Sequence, residues 1–99
     1  MTDKPIIMTV LFEARPGKEA ELRKALTDVL APTRKEDGFI QYDLHVHTGD
    51  GSRFVFYENW TSREHLDRHL SSPHLTVAIG TAGDWLAEPP SIETYWRIG

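Results

Sequence analysis

Ninety-nine residues make one domain, and a chain that short buries only a modest core, leaving roughly a third or more of its unfolded surface exposed. Apolar residues at 39% and charged residues at 26% describe an ordinary packed domain, and the absence of cysteine excludes disulfides, thiolate catalysis and Cys-based zinc sites. Fifteen acidic residues against eleven basic ones, with no Lys/Arg cluster, offer phosphates no basic surface, so nucleic acid is not an expected partner.

The stretch Met1–Pro5 has no apolar segment behind a basic start, and no apolar run approaches the ~20 residues that cross a bilayer. A soluble, cytoplasmic protein with no membrane partner is expected. From Ile6 to Glu13, IIMTVLFE sets Ile6, Met8, Val10 and Phe12 on one face and Ile7, Thr9 and Leu11 on the other, a strand to be covered on both sides. Arg15-Pro16-Gly17 breaks it. From Lys18 the residues Leu22, Ala25, Leu26, Val29 and Leu30 recur at helical spacing, with Pro32 predicted to kink the helix and Gly38 to stop it. Phe39–His47 and Arg53–Trp60 alternate and are joined by Thr48-Gly49-Asp50-Gly51-Ser52, which predicts an antiparallel hairpin.

Thr61-Ser62-Arg63-Glu64 matches a capping box with Thr61 as the cap of a short helix. Ser71-Ser72-Pro73 restarts a helix whose buried stripe is expected from Leu75, Ala78, Ile79, Ala82 and Leu86, ended by Glu88-Pro89-Pro90. Ser91–Ile98 alternates again as a fourth strand. The order β-α-β-β-α-β, with right-handed crossovers around a hairpin, predicts a ferredoxin-like α+β domain spanning 1–99: a four-stranded antiparallel sheet with helices on one face. The second face then needs a cover, and a twofold-related copy in a homodimer is the expected one.

Chemistry-bearing residues concentrate between Tyr42 and His74. His65 and His69 stand at i and i+4 and could grip a metal, but a third convergent ligand is not evident and His74 lies beyond the Ser-Pro break, so no metal is expected. The alternative is a surface His65 and an inward His69. Placed beside Leu66 and Leu70, His69 is either a proton acceptor or a buried ring satisfying the backbone. Glu58 shares a strand face with Phe54, Phe56 and Trp60, where a carboxylate needs a partner such as a helix end or Arg97. Trp60 and Tyr42 are core residues or the walls of an aromatic cleft. His45 and His47 fit solvent or a dimer interface. No GxGxxG, GKS/T or GxSxG pattern occurs.

At these residues the chain resembles the antibiotic-biosynthesis monooxygenase family, and in particular its quinol-monooxygenase-like members. The resemblance runs through Glu13-Ala14-Arg15-Pro16-Gly17-Lys18, Arg34-Lys35-Glu36-Asp37-Gly38 before Tyr42, Tyr57-Glu58-Asn59-Trp60, and His65-Leu66 through His69-Leu70 to Ser72-Pro73-His74. It implies a dimeric α+β barrel and the oxidation of a small phenol, naphthol or quinol by molecular oxygen to a quinone, without a cofactor. It implies His69 as base or proton shuttle, Asn59 or Tyr57 as donors to oxyanions, and Trp60, Tyr42, Glu58, His74 and Phe56 as substrate-binding residues. Three alternatives stay open. A haem-degrading relative implies a haem-ligating His about ten residues beyond His69, where Ile79 stands. An isomerase of a small phosphorylated dione, of the autoinducer-2 processing type, would need basic residues, and only Arg53, Arg63 and Arg97 are scattered nearby. The third is a non-catalytic dimeric ligand-binding module.

Overall fold

The fold is taken from a computed structural model, which describes residues 4–99; Met1–Asp3, part of the stretch read above for a targeting segment, lie outside them. Four strands, β1 (Ile6–Glu13), β2 (Phe39–Val46), β3 (Arg53–Trp60) and β4 (Ser91–Trp96), form one sheet in the order β2-β3-β1-β4. Every pairing is antiparallel, with Ile6 opposite both Trp60 and Trp96 and Tyr42 opposite Glu58. This is the ferredoxin-like α+β arrangement expected from the order of elements.

Pleating sorts the side chains. Ile6, Met8, Val10 and Phe12 of β1 and Phe54, Phe56, Glu58 and Trp60 of β3 are all buried, on the face that the helices cover. Helix α1 (Glu19–Asp28) contributes Leu22 and Leu26 to that core, and α3 (Arg63–Leu70) contributes Leu66 and His69. The opposite face, with Ile7, Thr9 and Leu11 of β1 and Val55, Tyr57 and Asn59 of β3, carries no helix and is half-buried or exposed. No helix among the described residues is long and apolar enough to cross a membrane.

Several local expectations change. The first helix breaks at Val29 rather than at Pro32, which sits inside the one-turn α2 (Leu30–Thr33). The turns after α2 tighten through hydrogen bonds from Lys35 N to Pro32 O at 3.2 Å and from Glu36 N to Thr33 O at 3.0 Å, which turn Glu36 back toward the sheet. Gly38, at φ +82°, then redirects the chain into β2; a β-carbon there would collide with the His65 ring. Ser62 caps α3, not Thr61: its Oγ accepts from the His65 N–H at 3.3 Å, while Thr61 donates to the Gly38 carbonyl.

The last helix, α4 (Pro73–Ala82), begins with Pro in its first turn as predicted but stops well before Glu88, passing into a single tight turn at Gly83–Trp85. Only Ala82 of its expected stripe is fully buried; Ile79 is exposed, and Leu86 instead bridges to Ala14 beyond the helix. The second and fourth strands end at Val46 and Trp96, slightly short of His47 and Ile98.

Candidate active site

Strand alternation delivers the first three groups. On β3, Phe56, Glu58 and Trp60 project to the helix-covered face, and the β2–β3 register sets Tyr42 beside Glu58. Tyr42 stacks on Phe56 with ring centroids 4.8 Å apart. The Trp60 indole N–H donates to Glu58 Oε1 at 3.0 Å, so the buried carboxylate finds its donor two residues along its own strand. That indole replaces the helix end or Arg97 anticipated for Glu58; Arg97 bonds the Gly99 carbonyl instead.

Helix α3 supplies the fourth group. His69 is buried to 1% exposure, its ring stacked on Trp60 at 4.7 Å and meeting the Tyr42 ring edge-on at 5.2 Å. Its two nitrogens face two carboxylates. Nδ1 lies 2.8 Å from Glu36 Oε2, and Nε2 lies 3.6 Å from Glu58 Oε1. An ionised carboxylate only accepts, so the Glu36 contact assigns the proton to Nδ1 and leaves the Nε2 lone pair on the Glu58 side.

Glu36 has a second imidazole. His74, in the first turn of α4, brings Nε2 to 2.8 Å from the same Oε2 and to 3.1 Å from the Thr33 hydroxyl. The Ser71-Ser72 link folds α4 back, so His74 converges with His69 despite the helix break between them. The pair His65 and His69 does not converge: the His65 ring is half-buried, its Nδ1 2.8 Å from Ser62 Oγ and its Nε2 3.6 Å from the Asp37 carboxylate. His65 is thus held by the protein rather than facing open water.

A cavity of about 420 Å³ opens between the sheet and α4. Met8, Val10, Phe56, Leu75 and Ile79 give it apolar walls, and Tyr42, Glu58, His69 and Thr76 bring polar side chains to its lining. Among the described residues the lining contains no Lys or Arg. Burial pushes the Glu58 carboxyl up to about 7 against the opposing hydrogen bond from Trp60, and the nearby Glu36 charge pushes the same way. Burial also lowers His69, partly offset by its bond to Glu36 and that carboxylate's charge. Tyr42 is held above its ordinary value by burial and then by the Glu58 charge, so its hydroxyl stays protonated.

Sequence reasoning located His69, Tyr42, Phe56, Glu58, Trp60 and His74, and the fold gathers all six around one spot. Two expected participants are not among them. Tyr57 and Asn59 alternate to the other face of β3, away from His69, so neither can donate inside this cavity; Asn59 Oδ1 is buried there without a hydrogen-bond partner among the described residues. Glu36 was not anticipated, because it lies in a turn with no periodic signal. The sequence signal that could have found it is its place in the stretch Arg34-Lys35-Glu36-Asp37-Gly38, two residues before the chain-turning Gly38.

Residues 5–80 match the family described as antibiotic biosynthesis monooxygenase. A Mycobacterium tuberculosis protein named "Putative monooxygenase Rv0793" is 35% identical over 88 residues, covering 89% of this chain and 86% of its own length. Its solved structure superposes with a TM-score of 0.91 at 32% identity, covering 97% of each chain. The structure of PA3566 from Pseudomonas aeruginosa gives a TM-score of 0.92 at 27% identity, covering 100% of this chain and 99% of that one. The fold, the length of the match and the identity to these relatives agree, and the chain belongs to the antibiotic biosynthesis monooxygenase family.

Proposed function

We propose that this protein oxidises a small phenolic or quinolic aromatic substrate with molecular oxygen to a quinone, using His69 as the base and no bound cofactor. The observation that carries the proposal is the His69 imidazole in the wall of an apolar cavity, anchored at Nδ1 by the Glu36 carboxylate with Nε2 on the opposite side of the ring. That anchoring follows the same logic as a carboxylate-oriented histidine in hydrolases, where the carboxylate fixes tautomer and ring orientation.

The chemistry asks little of the protein. His69 Nε2 takes the phenolic proton, and the resulting anion passes one electron to oxygen. Recombination of the radical pair at a ring carbon bearing hydrogen forms a C–O bond, and elimination of water from the hydroperoxide leaves the quinone carbonyl, accounting for both oxygen atoms. Apolar walls favour oxygen and a flat ring, and the protonated Tyr42 hydroxyl and a protonated Glu58 are the available donors to developing negative charge. A phosphorylated dione is disfavoured by the absence of Lys and Arg from the cavity lining.

The active form is inferred to be a homodimer, since Leu11 is 42% exposed beside Ile7, Val55 and Tyr57 on a sheet face that no helix covers. Oxygen uptake with a panel of quinols and naphthols, on wild type and His69→Ala, tests the activity. Uptake dependent on His69 supports it. No uptake with any member of the panel, or uptake indifferent to His69, would sink it.

A further inference from the structure

We propose that Glu36, His69 and His74 form a binding site for a divalent metal ion of the zinc class. One ligand atom from each residue lies within 4.8 Å of the other two, and Glu36 Oε2 meets both His69 Nδ1 and His74 Nε2. Two imidazoles and one carboxylate are a donor set matched to borderline first-row divalent ions, and three protein ligands leave a position for water.

The spacing is close to what an ion needs. Tetrahedral bonds of about 2.0–2.2 Å to nitrogen and oxygen put neighbouring ligand atoms roughly 3.3–3.6 Å apart. Glu36 Oε2 stands 2.8 Å from each nitrogen, so the carboxylate must draw back by about half an ångström or more to admit the ion. The surroundings are also prepared. A metal-ligating imidazole gains from a carboxylate accepting its other N–H, and Glu58 Oε1 lies 3.6 Å from His69 Nε2. Thr33 Oγ1 lies 3.1 Å from His74 Nε2, at the edge of the cluster. Access exists from outside: the His74 side chain is 26% exposed and Glu36 17%, whereas His69 is the buried end of the site.

Occupancy has a consequence for the reaction, which rests on the base role proposed for His69. A metal at Nδ1 takes the place of the proton that now bonds Glu36, and the neutral ring carries that one proton on Nε2 instead, facing Glu58. The ring then has no free lone pair. Base and ligand are therefore mutually exclusive states of His69, and the ion acts as an inhibitor.

Calorimetric titration of the purified, chelator-treated protein with Zn²⁺, repeated with Co²⁺ by visible absorption, tests the site without any substrate. The expected result is one ion per chain, weakened about 10²-fold or more in Glu36→Gln and in His74→Ala and unchanged in His65→Ala. Zinc should raise the melting temperature of wild type but not of Glu36→Gln or His74→Ala, and the same melts report whether each variant folds. Absence of stoichiometric binding at micromolar zinc, or binding that folded Glu36→Gln and His74→Ala retain at full strength, would overturn the site. Saturating zinc is expected to abolish oxygen uptake; zinc bound at the site with uptake intact would instead overturn the base assignment and leave the metal site standing.

Discussion

His69 Nδ1 and Glu36 Oε2 stand 2.8 Å apart across thirty-three residues of sequence, joining a buried helix residue to a turn that no periodicity marks. A neutral imidazole held this way has one defined tautomer, and everything proposed for the cavity depends on it.

Replacing His69 by Ala is expected to lower turnover by about two to four orders of magnitude while the chain still folds. Glu36→Gln tests orientation separately. Its amide can present N–H to Nδ1 and move the imidazole proton to Nε2, so kcat should fall by about 10²-fold or more with KM little changed. Steady-state kinetics and melting curves on both variants check this; a folded His69→Ala protein with full activity would show that the base lies elsewhere.

Glu58 makes stability depend on pH in an unusual direction. Its carboxyl is held at about 7 in the folded chain, above the ordinary glutamate value it regains on unfolding. The folded state thus binds more protons in that interval, and stability contributed by the neutral form is present at acid pH and lost as pH rises through about 7. Glu58→Gln mimics the neutral carboxyl and keeps an acceptor for the Trp60 N–H. In metal-free protein it should be more stable than wild type at pH 8, by on the order of 1 kcal/mol or more, and nearly equal at pH 5. Equal melting temperatures at both pH values would contradict the assigned direction.

Trp60→Phe removes the indole donor bonded to Glu58 Oε1 and shrinks a fully buried side chain stacked on His69. A loss of about 2–4 kcal/mol is expected from the unpaired carboxylate and the void together, larger at pH 8 than at pH 5 because only the charged form misses the donor strongly. Chemical denaturation at the two pH values measures it.

Gly38→Ala should cost about 2 kcal/mol or more, because φ +82° disfavours a β-carbon and the His65 ring occupies its place. The double variant Gly38→Ala/His65→Ala should recover the steric part and retain the backbone part. Full additivity of the two changes would show that the ring is not the obstacle.

Leu11→Lys places a charge on the uncovered sheet face without touching the cavity. Sedimentation should show a dimer for wild type and a shift toward monomer for Leu11→Lys; a wild-type monomer at micromolar concentration would remove the basis for the dimer.

Much of this was legible in the sequence because pleating and helical repeat leave periodic traces. The alternation in β3 put Phe56, Glu58 and Trp60 on one face, and by the same rule put Tyr57 and Asn59 on the other, against their expected role. His69 was readable from its place beside Leu66. Glu36 and His74 were not readable as partners, since turns decide both: the tight turns after Thr33 aim one, and the short link at Ser71-Ser72 swings the other back across a helix boundary. Ser62 took the cap from Thr61 because the Thr61 hydroxyl and N–H are both committed to the Gly38 carbonyl. Side-chain competition of that kind leaves no trace in spacing.

The strand order β2-β3-β1-β4 separates two timescales of assembly. The β2–β3 hairpin and α3 are close in sequence and can meet early, carrying Glu36, Glu58 and His69 with them. Strand β1, which supplies Met8 and Val10 to the cavity wall, must wait for β3 on one side and for the distant β4 on the other, with Ile6 opposite both Trp60 and Trp96. During that wait its apolar run is an unpaired edge, the segment most exposed to aggregation as the chain emerges during synthesis. From this order of contacts the ionisable groups are expected to become neighbours before they are dry, with the docking of the first strand removing their water.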